Sequence, residues 1–557
     1  MKLRKNSSEQ KLRGAYYTPA PLAEAIVGLF ASQDIDTVLE PSCGDGVFLD
    51  SLNELNLLDK VRRVTAVEIE PEEAQKVRSR YFGFDQMEIY AEDFFDYYYR
   101  VLGKERFDLI LGNPPYIRFQ YLKESQREML SEILTSHGMK ANKLINAWVA
   151  FLVACVQLLS ENGKIAFVIP AEILQVAYAE DLRLYLANNL AKITLITFEQ
   201  LVFPDIEQEV VVFIGKKGKG EKGIRIIEMN NIEDFARLEL EQNGFQKLRH
   251  VKVKWIKYFV TPDEMSLIQE LRKDTRFAKF SEYGLINVGI TTGNNGYFSV
   301  TEEITEKYGL ADVTFPLIGK SSHAHGIYFT QKDWEINRET GKRARLISFP
   351  DIPFEDYPDG HKKYVLLGEK NSEHEGYKCS IRERWYIVPS VWVPEAFFTR
   401  RNNLYPKFVL NRCGAVSTDS MHRMKFNEGI IPENILLAYY NSISFAFTEI
   451  CGRSYGGGVL EVLPGEMGNV LLPKVERVDP KLREKLLSYI NFVVRNGEDI
   501  EVALDVVDEE LLVKKLGIDP EICRKCREIW KKLQRRRLRR KQHLSRKPGK
   551  LLHLSYY

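Results

Sequence analysis

The sequence predicts an α/β protein whose first part folds as a mostly parallel, doubly wound sheet with an antiparallel hairpin at one edge. A second domain of mixed α+β character follows it. Three observations carry this prediction. From about Ile35 to Ile214 short β-rich runs alternate with helical patterns, the sign of repeated strand–helix–strand units. The first of these runs leads straight into a loop of small residues and then a helix start. Beyond about residue 245 the alternation is lost, and segments become short, β-branched and aromatic, with several glycine clusters.

The expected strands are Asp36–Glu40, Arg63–Ile69, Met87–Ala91, Phe107–Gly112, Lys164–Ile169, Ile193–Phe198 and Glu209–Gly215. Each is a short run of β-branched or aliphatic residues bounded by turn formers. The helices between them include Pro21–Ala31, Pro71–Tyr81, Ala147–Leu159 and Ala177–Asn188. The last two strands are joined by a tight loop through Pro204, which suggests the antiparallel hairpin. Lys216 to Gly223 is rich in Gly and Lys and reads as a surface loop or hairpin end near the first domain's limit. Later helices are expected at Pro432–Ser444 and Pro480–Arg495. The resulting division is 1–245, 246–530 and a basic tail, 531–557.

Composition narrows the class. Hydrophobic content of 44% with 28% charged residues describes a soluble globular protein, and 557 residues are too many for one ordinary core. No apolar stretch is long enough to span a membrane. The basic, polar start and seven scattered cysteines lead to a cytoplasmic expectation. The net charge of +2 conceals eleven Lys or Arg residues between Lys531 and Lys550, with no Asp or Glu among them. The remainder is net negative, so whole-molecule charge does not argue for nucleic acid. The run Gln534 to Lys541 is suited either to gripping phosphates or to a solvated terminus. Cys523 and Cys526 have zinc-knuckle spacing, but no second Cys pair exists and Glu521 to Arg540 reads as a continuous basic helix. His323, His325 and His422 have no clustered partner, so no metal is expected.

The candidate site lies at successive strand ends. Thr37 to Leu49 reads as strand, small-residue loop and helix start, with Glu40, Ser42, Gly44 and Gly46 in order. Glycines there let the backbone approach a ligand closely. Val64 to Glu70 reads as a second strand ending in an acid, holding Glu68 and Ile69, and a carboxylate there suits the two hydroxyls of a ribose. The Gly-x-Gly-x-x-Gly fingerprint is absent, which favours a nucleoside without a pyrophosphate. Asp93 and Phe94 follow the third strand, placed to accept from an adenine amine and to stack on its ring. Asn113-Pro114-Pro115-Tyr116 follows the fourth. That turn offers an amide oxygen, a proline-fixed carbonyl and an aromatic face at one point, parts that suit a planar substrate with an exocyclic amine. In isolation each piece also reads as an ordinary turn or cap; the ordered series is what argues for a site.

With these residues in place, the first 215 or so residues resemble the amino-terminal domain of gamma-class N6-adenine DNA methyltransferases of restriction-modification systems. The catalytic part is TaqI-like. Gly14 to Pro19 matches the motif that precedes the cofactor loop in this class, with Thr18 on the methionine end of S-adenosylmethionine. The resemblance implies a Rossmann-like methyltransferase domain. It places Glu40, Glu68, Ile69, Asp93, Phe94 and Phe151 on the cofactor, and Tyr116 and Phe203 beside the target base. It implies methyl transfer to N6 of an adenine flipped out of double-stranded DNA. Asn113 and Pro114 would hold the amine, and Pro115 would stiffen the turn.

The second domain resembles the target-recognition regions of Eco57I-like enzymes in its segments 288–298, 315–319, 418–423 and 452–458. Asn294, Asn295 and Arg453 are candidates there for contacting DNA. A separate cognate restriction endonuclease and a monomeric state are expected. Two alternatives share the site: a protein-glutamine methyltransferase, which needs only a short substrate region, and a bifunctional enzyme with an unrecognised nuclease. The third is a DNA-binding protein with a dead catalytic domain, which the intact Asn113 and Tyr116 oppose.

Overall fold

The computed structural model describes residues 17–141, 145–199, 202, 203, 209–238, 244–248, 254–454, 458–475 and 478–544. Two compact units divide the chain at Pro262 and Asp263.

The first unit is built on a nine-stranded sheet. Its strands are β1 Thr37–Glu40, β2 Arg63–Glu68, β3 Met87–Ala91, β4 Phe107–Gly112, β5 Leu159–Pro170, β6 Lys192–Phe198, β7 Val210–Lys216, β8 Gly223–Met229 and β9 Gln246–Lys247, in the order β3-β2-β1-β4-β5-β7-β6-β8-β9. β1 through β5 pair in parallel, while β7 runs antiparallel to both β5 and β6. The helices α1 Ala20–Gly28, α2 Val47–Glu54, α3 Pro71–Arg80, α4 Phe94–Val101, α5 Glu124–Thr135, α6 Ala147–Leu158 and α7 Glu180–Asn189 connect the strands. α6 is buried along nearly its whole length, as its sequence, apolar but for Gln157, demands.

The expected antiparallel pair is β6 and β7, and the pairing shows where it sits. β8 pairs in parallel with β6, and β9 pairs antiparallel with β8, so two further strands lie outside the pair. The Gly- and Lys-rich segment therefore leads from β7 across to the far side of β6 and does not close a hairpin. Periodicity gives each strand but not its neighbours. Pro204 lies outside the described residues.

The second unit, Asp263–Leu538, holds a five-stranded sheet in the order Gly284–Val288, Met421–Phe426, Ala396–Thr399, Phe408–Arg412, Tyr328–Thr330. A second sheet joins Ser299–Val300, Arg345–Ile347, Thr314–Ile318 and Val416–Ser417. Strands and helices are interspersed along this half, the mixed α+β character expected. Helices at Pro432–Tyr439, Ser442–Cys451 and Pro480–Asn496 precede a long one at Pro520–Leu544. Arg537 in that last helix is 1% exposed. Its guanidinium donates to the Glu449 carboxylate at 2.7 Å and to Gly458 O at 2.8 Å. This corrects the reading of the whole run Gln534 to Lys541 as solvated or phosphate-gripping, because a core cation is spent on a core acid.

Candidate active site

The order β3-β2-β1-β4 sets four carboxyl-terminal strand ends side by side, each ~4.8 Å from the next. They deliver Glu40 from β1, Glu68 from β2, Asp93 from just beyond β3 and Asn113 directly after β4. One cavity opens there. Thr18, Glu40, Ser42, Gly44, Glu68, Ile69, Asp93, Phe94, Asn113, Pro115 and Phe151 line it.

Local bonds fix the wall. Glu68 is buried, and its two carboxylate oxygens accept from Gly44 N at 2.8 Å and Glu70 N at 2.9 Å. The bonds tie the loop after β1 to the loop after β2. Burial pushes the Glu68 carboxyl up, and those same backbone donors pull it back. Gly46 caps α2 with φ 86°, a left-handed conformation that glycine adopts at little cost. A Cβ on Gly44 (φ 54°) would lie 3.2 Å from the Tyr17 ring, so the bare backbone is what lets Tyr17 cover the loop. Ser42 Oγ donates to Asn113 O at 3.5 Å, a long bond that joins the loop to the catalytic-turn candidate. Arg80 donates to Asp45 O at 2.9 Å while paired with Asp50.

The segment after Asn113 runs beside the start of α6. Ala147 N donates to Ile117 O at 2.8 Å, and Phe119 N to Ile145 O at 3.0 Å. That contact brings Phe151 over the cavity, where its ring stacks on Phe94 with centroids 4.7 Å apart and planes at 22°. The two rings form a stacked pair.

Glu40 is 2% exposed. Its Oε2 is buried with no hydrogen-bond partner among the described residues. Desolvation raises its carboxyl well above the usual range, and Asp45, Glu68 and Asp50 add to that. A buried acid lacking a partner is costly, and a cationic ligand group would satisfy it. The donor set therefore fits S-adenosylmethionine: an unpartnered acid for a positive group, further acids at strand ends for ribose and amine, and an aromatic stack for the purine.

Four expected residues stand off the cavity wall. Gly46 shapes the loop from behind, and Pro114 is buried. The Tyr116 ring packs against the core, and its hydroxyl donates to Val168 O at 3.0 Å. Phe203 is 4% exposed within that core, so its face is covered and not presented beside a base. Gln126 was not anticipated. It lines the cavity and donates from Nε2 to Asp93 Oδ2 at 2.6 Å. Its sequence signal is weak: a Gln at the third position of a helix that lacks a Ser or Thr cap.

In the second unit the expected DNA contacts are engaged internally. Asn294 caps the short helix Asn295–Phe298, accepting from Tyr297 N, and donates to Glu373. Asn295 accepts from Thr292 Oγ1 at 2.6 Å and donates to Asp419 at 3.1 Å. Arg453 donates to Glu466 at 2.7 Å. Tyr455 to Gly457, part of the same expected segment, lie outside the described residues.

Two family models match the chain. Residues 51–203 match the Eco57I restriction-modification methylase, and residues 252–512 match the C-terminal domain of the Type II methyltransferase M.Eco57I. Among curated proteins, the chain is similar to the Type II methyltransferase M.AccI of Acinetobacter calcoaceticus. The two are 23% identical over 527 residues, covering 88% of this chain and 92% of that one. It is also similar to the Type II methyltransferase M.HincII of Haemophilus influenzae, 30% identical over 232 residues and covering 42% of each chain. Among solved structures, the Type IIL restriction-modification enzyme MmeI in complex with DNA matches its fold. The TM-score is 0.56 at 14% identity, covering 95% of this chain and 80% of that one.

Proposed function

Because the chain belongs to the Eco57I-type restriction-modification methylases, we propose that it methylates N6 of adenine in double-stranded DNA through the turn Asn113-Pro114-Pro115-Tyr116. The protein is a site-specific DNA methyltransferase of a restriction-modification system, its cofactor is S-adenosylmethionine and its partner is DNA. The observation that supports the adenine reading is the position of the turn. Asn113 and Pro115 line the same cavity as Glu40, Glu68 and Asp93.

The amine of adenine is a poor nucleophile because its lone pair is delocalised into the ring. Asn113 Oδ1 and the Pro114 carbonyl accept its two N–H groups, which turns the lone pair out of conjugation. Pro115 fixes where that carbonyl points. Tyr116, half-buried with its hydroxyl held by Val168 O, is the stacking residue in this reading; Phe203, buried in the core, is not assigned that role. Glu40 holds a positive group of the cofactor, Glu68 its ribose, Asp93 its adenine amine, and Ile69, Phe94 and Phe151 the faces of that ring. S-adenosylmethionine supplies an electrophilic methyl group when bound. Much of the rate comes from orientation. A paired adenine is unreachable in line, so the base is flipped out at a cost of roughly a few kcal/mol.

We read the protein as a monomer acting in the cytoplasm beside a separate cognate endonuclease. Among the described residues no helix is long and apolar enough to cross a membrane. The test is an Asn113→Ala variant. It is expected to bind S-adenosylmethionine with unchanged affinity and to lose methylation on the order of 100-fold or more. Near-normal turnover would overturn the assignment.

A further inference from the structure

We infer that Gln126 is a positioning residue for the cofactor's adenine, acting by fixing the orientation of the Asp93 carboxylate. The inference rests on the reading of Asp93 as the acceptor for that amine. Gln126 is the third residue of α5, and its Oε1 accepts from Lys123 N at 3.1 Å, one half of a capping box. The cap decides which way round the amide lies. With the oxygen taken by a backbone N–H, the nitrogen faces Asp93, where it donates to Oδ2 at 2.6 Å. Flipping the amide would set oxygen against carboxylate and nitrogen against N–H. The other oxygen of Asp93, Oδ1, accepts from Phe95 N at 2.8 Å.

The carboxylate is thus held from two elements at once, by its own helix α4 and by the start of α5. Each oxygen keeps a further lone pair for a ligand. Without Gln126, the bond within α4 is the one that holds Asp93 among the described residues, and the carboxylate can rotate away from the cavity both residues line. A charge-assisted bond of this kind is stronger than a neutral one.

The experiment measures affinities by calorimetry on the full chain for S-adenosylhomocysteine and for its deaminated analogue, S-inosylhomocysteine, which lacks the amine. Turnover is measured at saturating cofactor. Gln126→Glu keeps an oxygen for the Lys123 N–H but cannot donate to ionised Asp93, so it separates capping from positioning. Gln126→Leu removes both. Either variant is expected to weaken S-adenosylhomocysteine roughly tenfold, with the deaminated analogue changing about twofold at most. The preference between the two ligands therefore shrinks, while turnover at saturation stays within about threefold.

Equal weakening of both ligands, or an unchanged preference, overturns the inference and leaves Gln126 a helix cap. Asp93→Ala serves as the reference. If it also keeps the preference for the amine, the reading of Asp93 has failed. If it loses the preference while the Gln126 variants keep it, the inference alone has failed.

Discussion

Burial pushes the Glu40 carboxyl well above the ordinary carboxylate range, and Asp45, Glu68 and Asp50 press in the same direction. A group whose pKa is raised on folding binds its proton more tightly in the folded chain. Its contribution to stability is therefore complete below the unfolded value of about 4.3. It is lost as pH rises through the folded value. The ionised form strains the ligand-free protein and, in the proposed role, pairs with the positive group of the cofactor. Glu40→Gln is expected to raise the Tm of the ligand-free protein at pH 7. The same variant is expected to weaken S-adenosylmethionine about tenfold and to flatten the fall of affinity toward acid pH. Thermal melts and calorimetry across pH 5 to 8 check all three; a lower Tm with unchanged affinity would contradict the role. The sequence placed Glu40 at the strand end. That its Oε2 would lack a partner among the described residues depended on what packs around it, and no spacing rule reaches that. The same limit hid Gln126, whose partner is 33 residues away.

The loop between β1 and α2 is where backbone conformation and packing meet. At Gly46 a Cβ would lie 3.3 Å from Val77 and 3.4 Å from Arg80, on a backbone with φ 86°. Gly46→Ala is expected to destabilise the protein by ~1–2 kcal/mol, the cost of a left-handed conformation for a residue with a side chain. It should also weaken S-adenosylmethionine, because Arg80 steadies the adjoining Asp45 carbonyl. Denaturant titration and calorimetry read the two effects, and a neutral substitution would show that the loop does not need its glycine. Strands β1 to β7 were legible because each is a short aliphatic run at a regular interval. β8 was missed because a Gly- and Lys-rich run precedes it, and only its pairing with β6 makes it part of the sheet. α4 was missed for another reason. Phe94 to Val101 is rich in Phe and Tyr, residues that favour strands by local preference, and the Asp93 cap together with burial of the aromatic face decides for helix.

The long C-terminal helix joins local sequence to the stability of the second unit. Arg537 and Glu449 form a buried pair, and Arg537 also donates to the carbonyls of Asn403 and Leu404. Burial raises the Glu449 carboxyl, and Arg537 opposes that rise. Arg537→Ala leaves an unpaired buried acid, so a loss of about 3–5 kcal/mol is expected. Replacing both partners, Glu449→Leu with Arg537→Leu, should recover part of it, and equal losses in single and double variants would contradict the pairing. Eleven cations between Lys531 and Lys550 gave no sign of which one the core would take, because charge counts carry no burial. The second unit was legible as a class and not as contacts: Asn294, Asn295 and Arg453 engage Glu373, Asp419 and Glu466, partners outside their own segments. The central claim, amine methylation of adenine at Asn113, is tested most directly by incubating the protein with S-adenosylmethionine and mixed-sequence duplex DNA, then identifying modified nucleosides by mass spectrometry. N6-methyladenine that disappears with Asn113→Ala is the expected result. A methylated cytosine, or unmodified DNA beside methylated glutamine in a protein extract, would contradict it.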